Sequence, residues 1–344
     1  MKHPTELFRT WDNPPTEEVG DSVEEFLRRL GGPTWIDIRG KDPSRTRTIV
    51  TLLHGNEPSG VRAIHQWLRV GIEPAVNIVC FIGAVEAALA PPGFAFRTLP
   101  GSKDLNRCWR EPFERVEGHI AEEVLSRLQT LNLEALVDLH NTSGRSPCYA
   151  ITTQTGDQQK ILTALFANQL VITDLRLGSL MEATELQTPT IVVECGGNHD
   201  HRSDQVAFEG LLRYIQTDTL FSPLVIQPEL KVFKHPIRVE LQDGITVAYA
   251  NAPVPEADCT FRVDADYLNF DLLHPGDSIG WIGPKGLDSF SARDAQGNNR
   301  AQDLFTVANG EIHLARTGRI LMMTTDPAIA YSDCLFYFLP CSDF

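Results

Sequence analysis

The chain has 344 residues, 42% of them hydrophobic, enough for a substantial core in one large domain or two. Its formal net charge of −15 argues against nucleic acid or an anionic membrane as partner, because phosphate binding draws on clustered Lys and Arg. No apolar run reaches the roughly 18 residues a spanning helix needs.

In chain order, the opening MKHPTELFRTWDNPP has no apolar secretory core, and seven scattered cysteines form no Cys-x-x-Cys pair. Both features predict reduced thiols in a cytoplasmic protein. SVEEFLRRL (22–30) predicts a short amphipathic helix, with Val23, Phe26, Leu27 and Leu30 on one face. A first strand is expected over 35–39 and a second at TIVTLL (48–53), a β-rich run of the buried parallel kind. Pro58 then suits the first turn of a helix running to Leu68. VNIVCFIG (76–83) predicts another buried strand, followed by the long loop APPGFAFRTLPGSKDLNR, whose length suggests a functional role. Ile120, Val124, Leu128 and Leu131 mark a helix over 117–131. EALVDLHN (134–141), CYAITTQ (148–154) and TPTIVVEC (188–195) predict strands. KILTALFANQL (160–170) and SDQVAFEGLLRYIQ (203–216) predict helices, the latter with a Ser-Asp cap. Alternating strands and helices indicate α/β layers through residue 222. From there KVFKHPIRVEL, ITVAYA, SIGWIG, GRILMMTT and CLFYFL alternate with Gly, Pro and Asp turns, predicting a smaller, mostly-β domain over 223–344.

The chemistry gathers at strand ends. His54 and Glu57, in TLLHGNEPSG, follow a buried strand, where open α/β sheets place ligand sites. His140, ending ALVDLHN, is the candidate third ligand. Two histidines and a carboxylate leave the fourth position of a tetrahedral zinc to water, the catalytic arrangement, although cobalt or manganese suits the same donors. A second His-x-x-Glu, His119 to Glu122, sits mid-helix without a companion ligand and predicts a solvated face. Asp138 shares a strand face with His140 and either orients that ligand or caps the neighbouring loop. Glu194 ends another apolar strand; a carboxylate there is costly unless paired or working, and beside a metal-activated water it suits a general base. An anionic substrate would need local cations against the acidic background. Arg107 after Asn106, Arg97 and Arg145 are the candidates, since guanidinium grips a carboxylate with a planar fork. His199 and His201 follow Glu194 in a loop and read as exposed.

The ordered set HGNE (54–57), DLNR (104–107), DLHNTSG (138–144) and VVECG (192–196) resembles the succinylglutamate desuccinylase and aspartoacylase family, a branch of the zinc-carboxypeptidase-like hydrolases. The DLHN-T-S version looks closer to aspartoacylase, and DADYLNFDLLHPGDSIGW resembles the β domain of the desuccinylases. The resemblance covers most of 48–344. It implies a three-layer α/β/α domain with a central mixed sheet, plus a C-terminal β domain. It further implies one zinc ion per chain held by His54, Glu57 and His140, water activation by Glu194 and carbonyl polarisation by Arg97. Asn106 and Arg107 would hold the carboxylate of the amino-acid half.

The expectation is therefore a zinc-dependent amidohydrolase that cleaves a small anionic N-acyl amino acid. The rivals are a metallocarboxypeptidase or other peptide amidase, and a non-catalytic zinc-binding protein. The acyl group, the amino acid and any homo-oligomer assembly stay open at this level.

Overall fold

The computed structural model describes residues 6–222 and 229–341. The chain divides into two compact units. One comprises Met1–Asn141, Cys148–Leu170 and Arg176–Val232; the other comprises Thr142–Pro147, Val171–Leu175 and Phe233–Phe344. The expected junction at 222/223 abuts residues 223–228, which lie outside the described residues. Two short segments from the α/β half thus belong to the C-terminal unit.

Nine strands form one mixed sheet: β1 (Arg9–Asp12), β2 (Thr34–Ile38), β3 (Asp42–Thr51), β4 (Val76–Ile82), β5 (Leu133–Thr142), β6 (Tyr149–Thr152), β7 (Gln169–Ile172), β8 (Thr190–Gly197) and β9 (Lys231–Lys234). Their order is β1-β2-β4-β3-β5-β8-β6-β7-β9. The pairs β3–β4 and β3–β5 are parallel, whereas β2–β4 and β6–β8 are antiparallel. β3, β5 and β8 lie in the middle of this sheet; β5 and β8 carry His140 and Glu194 in their C-terminal halves, and β3 leads into His54 and Glu57. Their unbroken burial over the last six or more residues is what central strands covered on both faces require.

Seven α-helices flank the sheet: α1 (Val23–Leu30), α2 (Ser59–Val70), α3 (Val85–Leu89), α4 (Arg115–Gln129), α5 (Asp157–Ala164), α6 (Leu180–Thr184) and α7 (His201–Gln216). Strand alternation decides which face each covers. Val50, Val79, Phe81 and Leu136 share one face and pack with Ile120, Ala121, Val124 and Leu128 of α4 and Leu180 of α6. On the opposite face, Leu139 meets the start of α2, and the Tyr214 hydroxyl of α7 donates to Ala135 O at 2.9 Å. The fully buried Arg47 ties β3 to the end of α7: Nε donates to Glu134 Oε2 at 2.6 Å and the guanidinium reaches Tyr214 O and Thr217 O. Helices on both faces make the three-layer arrangement.

Four elements stand out against expectation. The helix expected over 160–170 runs instead from Asp157 to Ala164, and Gln169–Leu170 already open β7. KILTALFANQLVI contains neither Gly nor Pro, so the changeover from helix to strand carries no breaker to read. β1 (RTWD) and α6 (LMEAT) are short additions, too brief at four and five residues to show a periodic signal.

The C-terminal unit contains two five-stranded sheets. One orders Leu272–Leu273, Gly318–Leu321, Phe336–Pro340, Ile237–Leu241 and Phe290–Arg293; the other orders Val247–Tyr249, Cys259–Phe261, Ser278–Ile282, Glu311–Leu314 and Phe305–Ala308. Phe261, Phe290, Phe305, Phe336 and Phe338 are almost wholly buried in its core. Edge-on ring pairs such as Phe305–Phe336, 6.0 Å between centroids, fix that packing.

Candidate metal centre

The turn after β3 is built by close approach. Leu52 takes φ 55° and swings the chain off the strand, and Gly55 N–H donates to Arg97 O at 2.8 Å. A Cβ on Gly55 would lie 2.7 Å from Phe96 O and 2.6 Å from the Ala87 Cβ, so only glycine allows the 94–97 loop so near. His54 and Glu57 flank this turn. On β5, alternation places Asp138 and His140 on the face that α4 covers and Asn141 on the other.

His54, Glu57 and His140 are buried, and each offers a donor atom such that all three lie within 4.8 Å of one another. Glu57 divides its carboxylate between the rings: Oε1 is 2.8 Å from His54 Nδ1 and Oε2 is 2.6 Å from His140 Nδ1. Both remaining ring nitrogens face further carboxylates. His54 Nε2 lies 3.0 Å from Asp104 Oδ1, and His140 Nε2 lies 3.0 Å from Asp138 Oδ2, out of line for a hydrogen bond. Histidines whose outer nitrogen meets a carboxylate are what metal ligation favours, because ring orientation and basicity are both set from behind.

Arg97 Nη2 donates to Asp104 Oδ2 at 3.0 Å, and Nη1 lies 3.8 Å from Glu57 Oε1. Asn106 accepts from Leu180 N at 3.2 Å and holds its Nδ2 3.5 Å from His140 Nε2. Arg107 donates from Nη1 to Asn106 O at 2.9 Å, and its charge acts on Asp104. Glu194 lies in the second half of β8, opposite Tyr149 of β6; its Oε2 is buried and has no hydrogen-bond partner among the described residues. His199 and His201 are exposed, and neither joins the His54–Glu57–His140 group. His119 and Glu122 are exposed on α4, 3.8 Å apart. Arg145 falls within the C-terminal unit, where its guanidinium sits 4.2 Å over the Tyr267 ring and its N–H donates to Asp266.

Burial pushes the His54 imidazole toward neutrality, as does Arg97, but Asp104 and Glu57 outweigh them and raise its pKa. For His140 burial is again the largest influence, and Asp138 and Glu57 overcome it by a wide margin. Glu57 and Asp104 are correspondingly held well below the usual carboxylate range despite burial, Glu57 by the two histidines and Asp104 by His54, Arg97 and Arg107. Glu194 goes the other way: burial, reinforced by Glu57 and Asp138, raises its carboxyl to about 7.

The donor set fits a divalent cation. Four carboxylates (Glu57, Asp104, Asp138 and Glu194) bear on two imidazoles, while two guanidiniums, Arg97 and Arg107, act on them. With both rings neutral and Glu194 ionised this leaves two negative charges, which one dication balances. Nitrogen and carboxylate donors without thiolate match zinc, cobalt or manganese.

Asp104 and Asn141 were missed as individual residues, although both stand inside quoted motifs. The signal for Asp104 was chemical: a ligating histidine needs a partner for its second nitrogen, and DLNR supplies the nearest carboxylate to Arg97 in sequence.

A family model described as the succinylglutamate desuccinylase/aspartoacylase catalytic domain matches residues 44–216. No curated protein matches the chain. Among solved structures, succinylglutamate desuccinylase from Vibrio cholerae is similar at 14% identity and TM-score 0.58, covering 94% of this chain and 95% of that one. Murine aminoacylase 3 is similar at 16% identity and TM-score 0.54, covering 88% and 96%. A succinylglutamate desuccinylase/aspartoacylase from Rhodobacter sphaeroides gives 14% and 0.54, covering 90% and 88%. At such identities these likenesses establish a shared fold.

Proposed function

The chain belongs to the succinylglutamate desuccinylase/aspartoacylase family, a family of deacylating hydrolases, and from that premise we propose a metal-dependent amidohydrolase acting on an N-acyl amino acid. The observation that carries the reading is the convergence of His54, Glu57 and His140 within 4.8 Å from two separate strand ends. Zinc is the ion best suited to these donors, and when bound it supplies a Lewis acid and an acidified water.

The chain's own residues supply the rest. Glu194, poised near neutrality by burial, takes a proton from the attacking water and returns it to the leaving amine. Arg97, held by Asp104 at the mouth of the 54–57 turn, offers guanidinium N–H groups to the carbonyl oxygen as charge builds there. Arg107 and Asn106 hold the substrate carboxylate, and Asp138 and Asp104 fix the two rings. Arg145 is the weakest of the proposed substrate contacts, because its guanidinium is engaged by Tyr267 and Asp266. The substrate class is a small anionic molecule, and the seven free thiols favour a cytoplasmic setting. No helix among the described residues is long and apolar enough to cross a membrane.

The test is metal analysis of purified protein followed by an amine-release screen over N-acetyl, N-succinyl and related acylated amino acids. Hydrolysis of one such class, lost with His54→Ala, is expected. Cleavage of blocked dipeptides alone would move the assignment to a peptidase. Stoichiometric ligand binding without turnover would leave a non-catalytic metalloprotein.

A further inference from the structure

Behind the metal-ligand face, on the other side of β5, a single amide side chain joins three segments that must keep register. Asn141 Oδ1 accepts from Ser59 N at 2.9 Å, and Asn141 Nδ2 donates to Ser59 Oγ at 2.9 Å and to Gly196 O at 3.1 Å. Its backbone N–H points to Glu57 Oε2 at 3.4 Å. The next residue before Asn141 is the ligand His140, Ser59 lies two residues after the ligand Glu57, and Gly196 lies two residues after Glu194.

The clasp extends outward. Ser59 Oγ donates to Asp204 Oδ1 at 2.7 Å, and Asp204 Oδ2 accepts from Arg62 Nη1 at 2.9 Å, one turn along α2. Ser59 and Asn141 are 1% and 3% exposed, so water does not compete for the bonds between them. The fit beneath is equally tight. A Cβ on Gly60 would stand 2.0 Å from Thr51 Oγ1 and 2.8 Å from Leu139 Cβ, so the start of α2 rests directly on β3 and β5. Thr51 Oγ1 in turn donates to Leu139 O at 3.0 Å, locking those strands together.

We propose that Asn141, braced by Ser59 and Asp204, is a positioning residue that sets where Glu57 stands relative to His140 and to the Glu194 strand end. Every donor and acceptor of its amide but one faces a segment carrying a site residue, and none of those bonds serves ordinary sheet pairing. The inference rests on the hydrolase reading, since it concerns the same ligands. A ligand carboxylate carried on a helix start can slide with that helix; the Asn141 clasp removes that freedom.

The test uses full-length protein stripped by chelation and titrated with cobalt(II), reading affinity and the d–d absorption band. Ser59→Ala and Asp204→Asn are expected to weaken cobalt binding by roughly 10- to 100-fold and to alter the band, the scale of outer-shell effects on bound metals. Ser59→Thr keeps the hydroxyl and should restore both. Asn141→Ala should show the larger effect, with kcat falling more than KM rises; if it does not fold, the Ser59 and Asp204 variants decide. Cobalt affinity and spectrum unchanged in folded Ser59→Ala, with only thermal stability lowered, would reduce the clasp to a structural contact and overturn the proposal alone. Wild-type protein that takes up no cobalt at all would overturn the hydrolase reading, and this proposal with it.

Discussion

Replacing Glu194 by Gln keeps the shape of the side chain and removes its charge, which separates two consequences that the site ties together. The first concerns turnover. A positioned general base contributes about 10²- to 10⁴-fold, or roughly 3–5 kcal/mol of barrier, so Glu194→Gln should lose most activity while retaining metal on the untouched ligands. The second concerns stability. Burial raises the Glu194 carboxyl from 4.5 to about 7. The folded protein therefore binds this proton more tightly than the unfolded chain, and stability declines as pH climbs from about 4.5 to 7. Above that window the folded state holds an ionised carboxylate at a penalty of roughly 3 kcal/mol, taking about 1.4 kcal/mol per pH unit. Gln does not titrate. In chelated protein the variant should match wild type near pH 4 and exceed it by about 1–3 kcal/mol at pH 8, the lower end reflecting an amide with imperfect partners. Denaturant midpoints across that pH range, paired with amine-release kinetics on the reloaded enzyme, measure both. Near-normal turnover in Glu194→Gln would remove it from the chemistry. A stability difference that does not change with pH would refute the assignment of a buried, raised carboxyl.

Metal uptake should itself be pH-dependent, because the carboxylates around His54 and His140 raise the pKa of both rings in chelated protein, so that protons compete with the metal for the same nitrogens. Binding then releases up to two protons, and affinity rises with pH until both folded-state pKa values are passed; calorimetry in buffers of different ionisation enthalpy reads the count, and zero release would contradict it. Asp138→Asn removes the charge 3.0 Å from His140 Nε2 and should weaken cobalt binding by about 10- to 100-fold in a chelator competition, an unchanged constant counting against an orienting role. Gly60→Ala forces a methyl against Thr51 Oγ1 and Leu139 and should destabilise chelated protein by about 1–3 kcal/mol in urea unfolding. No loss there would mean that α2 rests on the sheet less closely than described.

The sheet was readable because its central strands are written as unbroken apolar runs ending in polar residues. β4, β5 and β8 fall where VNIVCFIG, EALVDLHN and TPTIVVEC predicted them, to within a few residues, and β3 covers the start of TIVTLL but begins earlier, at Asp42. The polar ends of β3 and β5 carried the candidate ligands, since a buried strand that closes on histidine or carboxylate must pair that group or use it. What could not be read was anything set by contact between distant segments. Asp104 looks like any loop aspartate until the fold brings it 3.0 Å from His54 Nε2, fifty residues away. Asn141 looks like a strand-end cap until α2 and β8 close on it. β7 hides in a run with no helix breaker, and its residues join the sheet because β6 and β9 flank them on either side, a condition that no local pattern records. The same reasoning explains Arg145: five residues beyond His140 in sequence, it turns to Tyr267 and Asp266, because the chain changes units at Thr142. Proximity in sequence predicted a shared site where a tight turn or a single strand register held both residues, as the 54–57 turn does for His54 and Glu57 and β5 does for Asp138 and His140.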